Sequence, residues 1–189
     1  MKKMVVFASG SGSNFENIVK KLHGEICEVA LLLCDKPDAF CLERAKGLGI
    51  ASVVINPKDF DTKSDYEEKI IQTLDEIEID LIVLAGYMRL IGKSLLAKFE
   101  GKIINIHPSL LPAFPGLEAI GQAFGHGARV MGATVHFVDA GMDTGAIIDQ
   151  MAFQLNDDDT LETVTAKMHD IEHRLYPAVI EKLLRRSCK

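Results

Sequence analysis

Apolar and polar positions alternate along the chain with two distinct periods. Residues 4–8 form a short apolar run, followed by a Gly/Ser loop and a segment of helical spacing at about 14–22. Residues 29–34 form a second apolar run, and a helix is expected near 39–48, ending before Gly49. A third strand is expected at 51–55, then a charged amphipathic helix at 64–77, and a fourth strand at 80–85 with Gly86 at its end. A short helix at 93–99 and a fifth apolar run at 102–106 complete the series. Short strands separated by helical segments predict a mostly parallel sheet with helices on both faces.

The pattern changes after residue 108. A loop and a short helix are expected over 109–125, an alternating strand over 132–138, and a further strand over 145–153. The last two lie close enough to pair as a hairpin, adding antiparallel strands late in the chain. A long helix follows from about 160 to 184. Asp159 with Glu162 three residues on reads as a capping box, so the run Asp157-Asp158-Asp159 is a helix entry before it is a metal site. Pro177 should kink that helix or split it in two. No repeat, linker or low-complexity tract interrupts the 189 residues, which read as one α/β domain.

Composition narrows the function classes. The formal charge of −6 disfavours a non-specific nucleic-acid or anionic-membrane role, while leaving room for a local basic pocket. The apolar run near the N-terminus is too short for a signal peptide. No apolar stretch reaches the roughly 18 residues of a membrane helix. A cytoplasmic protein is expected. Cysteines stand at 27, 34, 41 and 188 without a C-x-x-C pair, and are expected to be reduced structural thiols.

The most informative stretch is Asn105-Ile106-His107-Pro108. The period of two aims the Asn105 and His107 side chains at the same face of a buried strand, and Pro108 ends that strand. Ser9-Gly10-Ser11-Gly12-Ser13-Asn14 follows the first strand and opens a helix, offering free N–H groups and a positive dipole end to an anion. It is neither a dinucleotide fingerprint, since Phe15 stands where the third glycine would be, nor a Walker loop; a mononucleotide-like phosphate or sugar phosphate fits better. Gly86-Tyr87-Met88-Arg89-Leu90-Ile91 follows the fourth strand, where open α/β sheets bind ligands, and could line an apolar slot. Asp143 lies in the Gly-flanked loop Gly141-Met142-Asp143-Thr144-Gly145; if it meets His107 it would favour the imidazolium. His136, inside a strand, reads as structural. His169-Asp170-Ile171-Glu172-His173 matches the pattern H-x-x-E-H of inverted zinc proteases, but a third ligand is missing and no metal is expected.

Taken together, Leu84-Ala85-Gly86-Tyr87-Met88-Arg89, Asn105-Ile106-His107-Pro108-Ser109-Leu110-Leu111-Pro112 and the stretch from Asp139 to Gly145 resemble the folate-dependent phosphoribosylglycinamide formyltransferase family of purine biosynthesis. The resemblance runs from the Ser9 loop to Glu172-His173-Arg174-Leu175-Tyr176-Pro177. It implies a Rossmann-like formyltransferase fold, with residues 1–100 as a phosphate-binding half and 101–189 as a catalytic and folate-binding half. Ser11, Gly12, Ser13 and Asn14 should hold the substrate phosphate. Lys63, Met88, Arg89, Leu90, Ile91, Asn105, Asp139, Ala140, Gly141, Met142 and Asp143 should contact 10-formyltetrahydrofolate. Asn105, His107 and Asp143 should form the catalytic trio, with Asp143 raising the His107 pKa. His169, Asp170, Ile171 and Glu172 should meet the glycinamide substrate, Glu172 first among them.

The expected partners are these two small molecules, with no nucleic acid and no membrane, and a monomer or homodimer. One departure stands out: after Pro115-Gly116-Leu117 the family carries histidines and an arginine, whereas this chain has Glu118-Ala119-Ile120-Gly121-Gln122. The same site logic serves formyltetrahydrofolate deformylases and methionyl-tRNA formyltransferases. Those rivals carry an additional N- or C-terminal domain, for which a chain running from a first strand to a single last helix is expected to leave no room. A non-catalytic phosphate- or folate-binding module is the remaining alternative.

Overall fold

In the first strand, β1 (Lys3–Ala8), Met4, Val6 and Ala8 pack on one side of the sheet and Val5 and Phe7 on the other, all fully buried. Burial on both faces is why this strand reads as a continuous apolar run instead of an alternating one. The same division holds in β4 (Leu81–Leu84), where Leu81 and Val83 face one way and Ile82 and Leu84 the other. The protein is described here by a computed structural model covering residues 1–186.

The remaining strands are β2 (Glu28–Cys34), β3 (Ser52–Val54), β5 (Ile103–His107), β6 (Val130–Phe137) and β7 (Ile147–Gln154). They form one seven-stranded sheet in the order β3-β2-β1-β4-β5-β6-β7. Strands β1 to β5 are parallel; β6 and β7 join antiparallel, as the change of rhythm after residue 108 predicts. Helices α1 (Ser13–Leu22), α2 (Cys41–Leu48), α5 (Ala119–Gly125) and α6 (Leu161–Arg186) contribute to the core on one face. Helices α3 (Lys63–Leu74) and α4 (Lys93–Lys98) cover the other. The strand order reverses between β1 and β4, and open α/β sheets bind ligands outside the carboxyl ends of the strands at such a reversal.

Helix α3 begins at Lys63 and ends at Leu74, three residues short of the predicted end. The Thr62 hydroxyl caps its start by accepting from the Asp65 amide at 3.1 Å. Helix α6 departs from expectation twice. Its capping box lies one residue later than predicted: Thr160 N–H donates to Thr163 Oγ1 at 2.9 Å, and Thr163 N–H to Thr160 Oγ1 at 3.3 Å. Asp159 instead accepts from the Asn156 amide and from Lys167 Nζ, which holds its carboxyl well below the usual range, at about 2. Pro177 does not split the helix, which runs unbroken from Leu161 to Arg186. A proline deprives the carbonyl four residues earlier of its helical donor. Here that carbonyl belongs to His173, and it accepts from Asn17 Nδ2 and Lys21 Nζ of α1, each at 2.8 Å. The cost of the proline is offset by tying α6 to α1.

Tyr176, fully buried, carries α6 under the sheet. Its hydroxyl donates toward the Leu84 carbonyl at 2.9 Å and the Ile104 carbonyl at 3.2 Å, on neighbouring strands β4 and β5. Cys27, Cys34 and Cys41 are free and buried, as expected of structural thiols; Cys188 lies outside the described residues. No helix among the described residues is long and apolar enough to cross a membrane.

Candidate active site

The site is built where β5 ends and β6 runs back beside it. Asn105 and His107 stand two apart on β5, and the antiparallel register sets Asn105 opposite His136 and His107 opposite Thr134. Asn105 Nδ2 lies 3.3 Å from His136 Nε2. After β6 the chain turns through the Gly-flanked loop that brings Asp143 back over the strand ends. Asp143 takes a left-handed φ of 56°, uncommon for a residue with a side chain but tolerated by Asp and Asn. Gly145 is required there, because a Cβ at that position would run into the Phe137 carbonyl.

Asp143 does meet His107. Its Oδ2 lies 3.3 Å from His107 Nδ1 and accepts from the Gly116 amide at 2.8 Å, while its Oδ1 lies 3.6 Å from His136 Nε2. Burial pushes the Asp143 pKa up, but the contact with His136, the Gly116 amide and the charge of His107 outweigh it, leaving the carboxyl below its usual range. The other nitrogen of His107, Nε2, donates to the Phe114 carbonyl at 2.9 Å. Both ring nitrogens of His107 therefore face oxygen acceptors, the arrangement an imidazolium satisfies with two N–H donors.

These groups open into a cavity of about 510 Å³, within the usual range of roughly 300–1,000 Å³ for small-molecule pockets. Met88, Arg89, Leu90 and Ile91 line it, as do Asp139, Gly141, Met142 and Asp143. At its walls Met88 is 67% exposed, Leu117 76% and Met142 49%, apolar groups that a flat ring system would cover. Among the expected folate-side residues, Ala140 and Lys63 do not line the cavity. Lys63 sits on the first turn of α3, 3.9 Å from the buried carboxylate of Glu67. The wall formed by residues 116–121, including Glu118, was not predicted, nor were Leu161 and Thr165 of α6. His136 is the main residue that sequence reasoning missed. Its signal was present, an imidazole in a mostly apolar strand, but its meaning depends on a register across 31 residues.

The anion loop lies at the carboxyl end of β1. Gly12 is the N-cap of α1, with φ 73°, and a Cβ there would collide with Cys41. No side chain caps the helix start, so the amides of the first turn are available to a ligand. Arg44 Nε fixes the loop by donating to the Ser11 carbonyl at 2.8 Å. Helix α6 meets this loop through Glu172, buried, whose Oε2 accepts from Asn14 Nδ2 at 3.1 Å and lies 3.3 Å from His169 Nδ1. The Glu172 hydrogen bond raises the His169 pKa against the opposing effect of burial. The structure thus brings Asn14, His169 and Glu172 together. Ile171 packs into the core, and Asp170 is exposed beside Arg174 at 3.6 Å. Among the described residues, no group of three or more His, Cys, Asp or Glu side chains is placed to hold a metal ion.

The formyl transferase family profile matches residues 2–180. The phosphoribosylglycinamide formyltransferase of Bacillus subtilis (strain 168) is 55% identical over 186 residues, covering 97% of this chain and 95% of that protein. The crystal structure of phosphoribosylglycinamide formyltransferase from Bacillus halodurans superposes with a TM-score of 0.94 at 52% identity, covering 98% of this chain and 97% of that one. Glycinamide ribonucleotide transformylase 1 from Geobacillus kaustophilus superposes with a TM-score of 0.93 at 49% identity, covering 97% and 99%.

Proposed function

The chain belongs to the formyl transferase family, and from that premise we propose that it transfers the formyl group of 10-formyltetrahydrofolate to the amine of 5-phosphoribosylglycinamide, a step of purine biosynthesis carried out in the cytoplasm. The observation that carries this reading is the convergence of Asn105, His107 and Asp143 in an apolar-walled cavity, in a chain whose first helix starts with no side-chain cap on its amides. The folate fits the cavity side, where Met88, Leu90, Leu117 and Met142 offer apolar cover. The ribotide fits the polar side, its phosphate on the Ser11–Asn14 loop and its glycinamide end toward Glu172 and His169.

In this reading the neutral amine attacks the formyl carbon, and negative charge gathers on the formyl oxygen. Asn105 Nδ2 donates to that oxygen; one such donor is typically worth about 3–4 kcal/mol of barrier. His107 donates from Nε2 by exchanging the Phe114 carbonyl for the formyl oxygen, with Asp143 holding the ring from Nδ1. The new C–N bond forms first, giving a tetrahedral intermediate, and its collapse breaks the bond from the formyl carbon to the folate nitrogen. The proton lost by the amine ends on that nitrogen, and His107 is placed to move it. His136 Nε2, 3.3 Å from Asn105 Nδ2 and 3.6 Å from Asp143 Oδ1, serves one of the two at a time: unprotonated it accepts from Asn105, protonated it donates to Asp143.

The test supplies 10-formyltetrahydrofolate with and without the ribotide and follows folate release. Release that requires the ribotide is the expected result. Equal release without it assigns deformylation instead, and no release under either condition leaves only a binding module.

A further inference from the structure

The two binding loops of this site share one residue. Ser9 is the first residue of the anion loop, and it is buried. The β1–β4 pairing runs on past its last paired residues, Phe7 and Leu84: Ala85 N–H donates to the Phe7 carbonyl at 2.8 Å, and Ser9 N–H to the Gly86 carbonyl at 3.1 Å. Gly86 then adopts φ 72° and turns the chain away from the sheet. Beyond that turn the Met88 amide donates to Ser9 Oγ at 2.9 Å. Ser9 therefore closes a two-bond bracket around the start of the 86–91 loop, one bond from its backbone and one from its hydroxyl.

The same loop has other supports. Asp35 at the end of β2 accepts from Arg89 Nε at 2.9 Å, and Glu67 of α3 accepts from the Gly92 amide at 2.6 Å. Those supports come from elements outside the anion loop. Ser9 holds the folate-side loop from the very chain that wraps the phosphate. Both loops are exposed where ligands would meet them: Gly10 and Ser11 on one side, Met88 and Leu90 on the other. Tyr87 and Ile91 anchor the 86–91 loop in the core, so the part left for a ligand to order is the exposed stretch around Met88 and Leu90.

We propose that Ser9 is a positioning residue that couples the two loops, so that phosphate-ester binding at Ser11–Asn14 orders the folate-side loop through the Met88 amide, and folate binding orders the anion loop in return. This rests on the functional reading above. Linkage requires the effect to be reciprocal.

The test measures the affinity of phosphoribosylglycinamide with and without saturating tetrahydrofolate, which lacks a formyl group and so permits no turnover. In the wild-type protein each ligand should tighten the other by about 5-fold or more. Ser9→Ala should bring that factor to about 1, and Ser9→Thr, which keeps the hydroxyl, should retain it. A role confined to stability would lower the melting temperature of Ser9→Ala without touching the factor. A second measurement needs no variant: in the wild-type protein, ribotide alone should slow hydrogen exchange of the Met88 amide. Binding of both ligands without coupling, coupling that survives in Ser9→Ala, or a Met88 amide indifferent to the ribotide overturns this proposal alone. Failure of the ribotide to bind at all overturns the functional reading, and this proposal with it.

Discussion

At the β5–β6 corner, His107, His136 and Asp143 all have partners within the protein, whereas no side chain caps the start of α1. The corner is also buried and built from strand ends; the helix start faces outward on a loop containing exposed Gly10 and Ser11. The difference matches the tasks assigned to them. A group that must donate to a charge appearing only in the transition state gains from being fixed beforehand. A group that must admit and release an anionic substrate gains from leaving its donors free. Damage at the corner should therefore appear in kcat, and damage at the helix start in KM.

The sharpest way to break this division is at Asp143. Asp143→Asn removes the charge but keeps a residue that tolerates the left-handed backbone. It should lower kcat by about 10²–10⁴-fold while the protein still folds, as checked by turnover and circular dichroism. A variant that turns over normally would place the chemistry elsewhere. Asn105→Ala should cost about 10²–10³-fold in kcat, with little change in the KM of the ribotide. Gly12→Ala forces a Cβ against Cys41 on a left-handed backbone, so it should raise the ribotide KM by about tenfold or more, an effect on the order of 1–2 kcal/mol, and leave kcat closer to wild type. A fall in kcat with unchanged KM would erase the contrast between the two regions.

Smaller effects sharpen the picture. The His169 pKa is raised by Glu172 from its ordinary 6.5, so the pair's contribution to stability is fully present below 6.5 and is lost as pH rises through the folded-state value. The melting-temperature difference between wild type and His169→Gln should accordingly be larger at pH 5.5 than at pH 8.5. Asp143 behaves oppositely: its pKa is lowered, so its contribution is present above the ordinary 3.8 and is lost as pH falls through the folded-state value. Tyr176→Phe should cost only about 1 kcal/mol in a denaturant titration, since it removes one hydroxyl from beneath the sheet.

Much of this architecture is legible in the sequence because short-range rules decide it. Runs such as Met4–Val5–Val6–Phe7–Ala8 are buried on both faces and have few alternatives to a central parallel strand. The Asn105–His107 pair follows from the period of two, and the anion loop from a Gly/Ser turn between strand and helix. What escaped depends on distant partners. His136 takes its meaning from lying opposite Asn105, and the Asp143 contacts depend on the Gly116 amide as well as on His107. The fate of Pro177 was settled by Asn17 and Lys21 on another helix, which supply donors to the carbonyl the proline leaves without one. The α6 cap moved by one residue because Thr160 and Thr163 satisfy each other, while Asp159 is drawn to Lys167. Lys63 does not line the cavity; its side chain is 57% exposed and lies 3.9 Å from Glu67, one helical turn on.

The central claim is that His107 and Asp143 act as one unit on the formyl group. The most direct measurement compares kcat for formyl transfer in His107→Ala, Asp143→Asn and the double variant. The account predicts that the double variant is no slower than the slower single one, because removing either partner already removes the function of the pair. Losses that multiply would contradict it, showing that the two residues work independently.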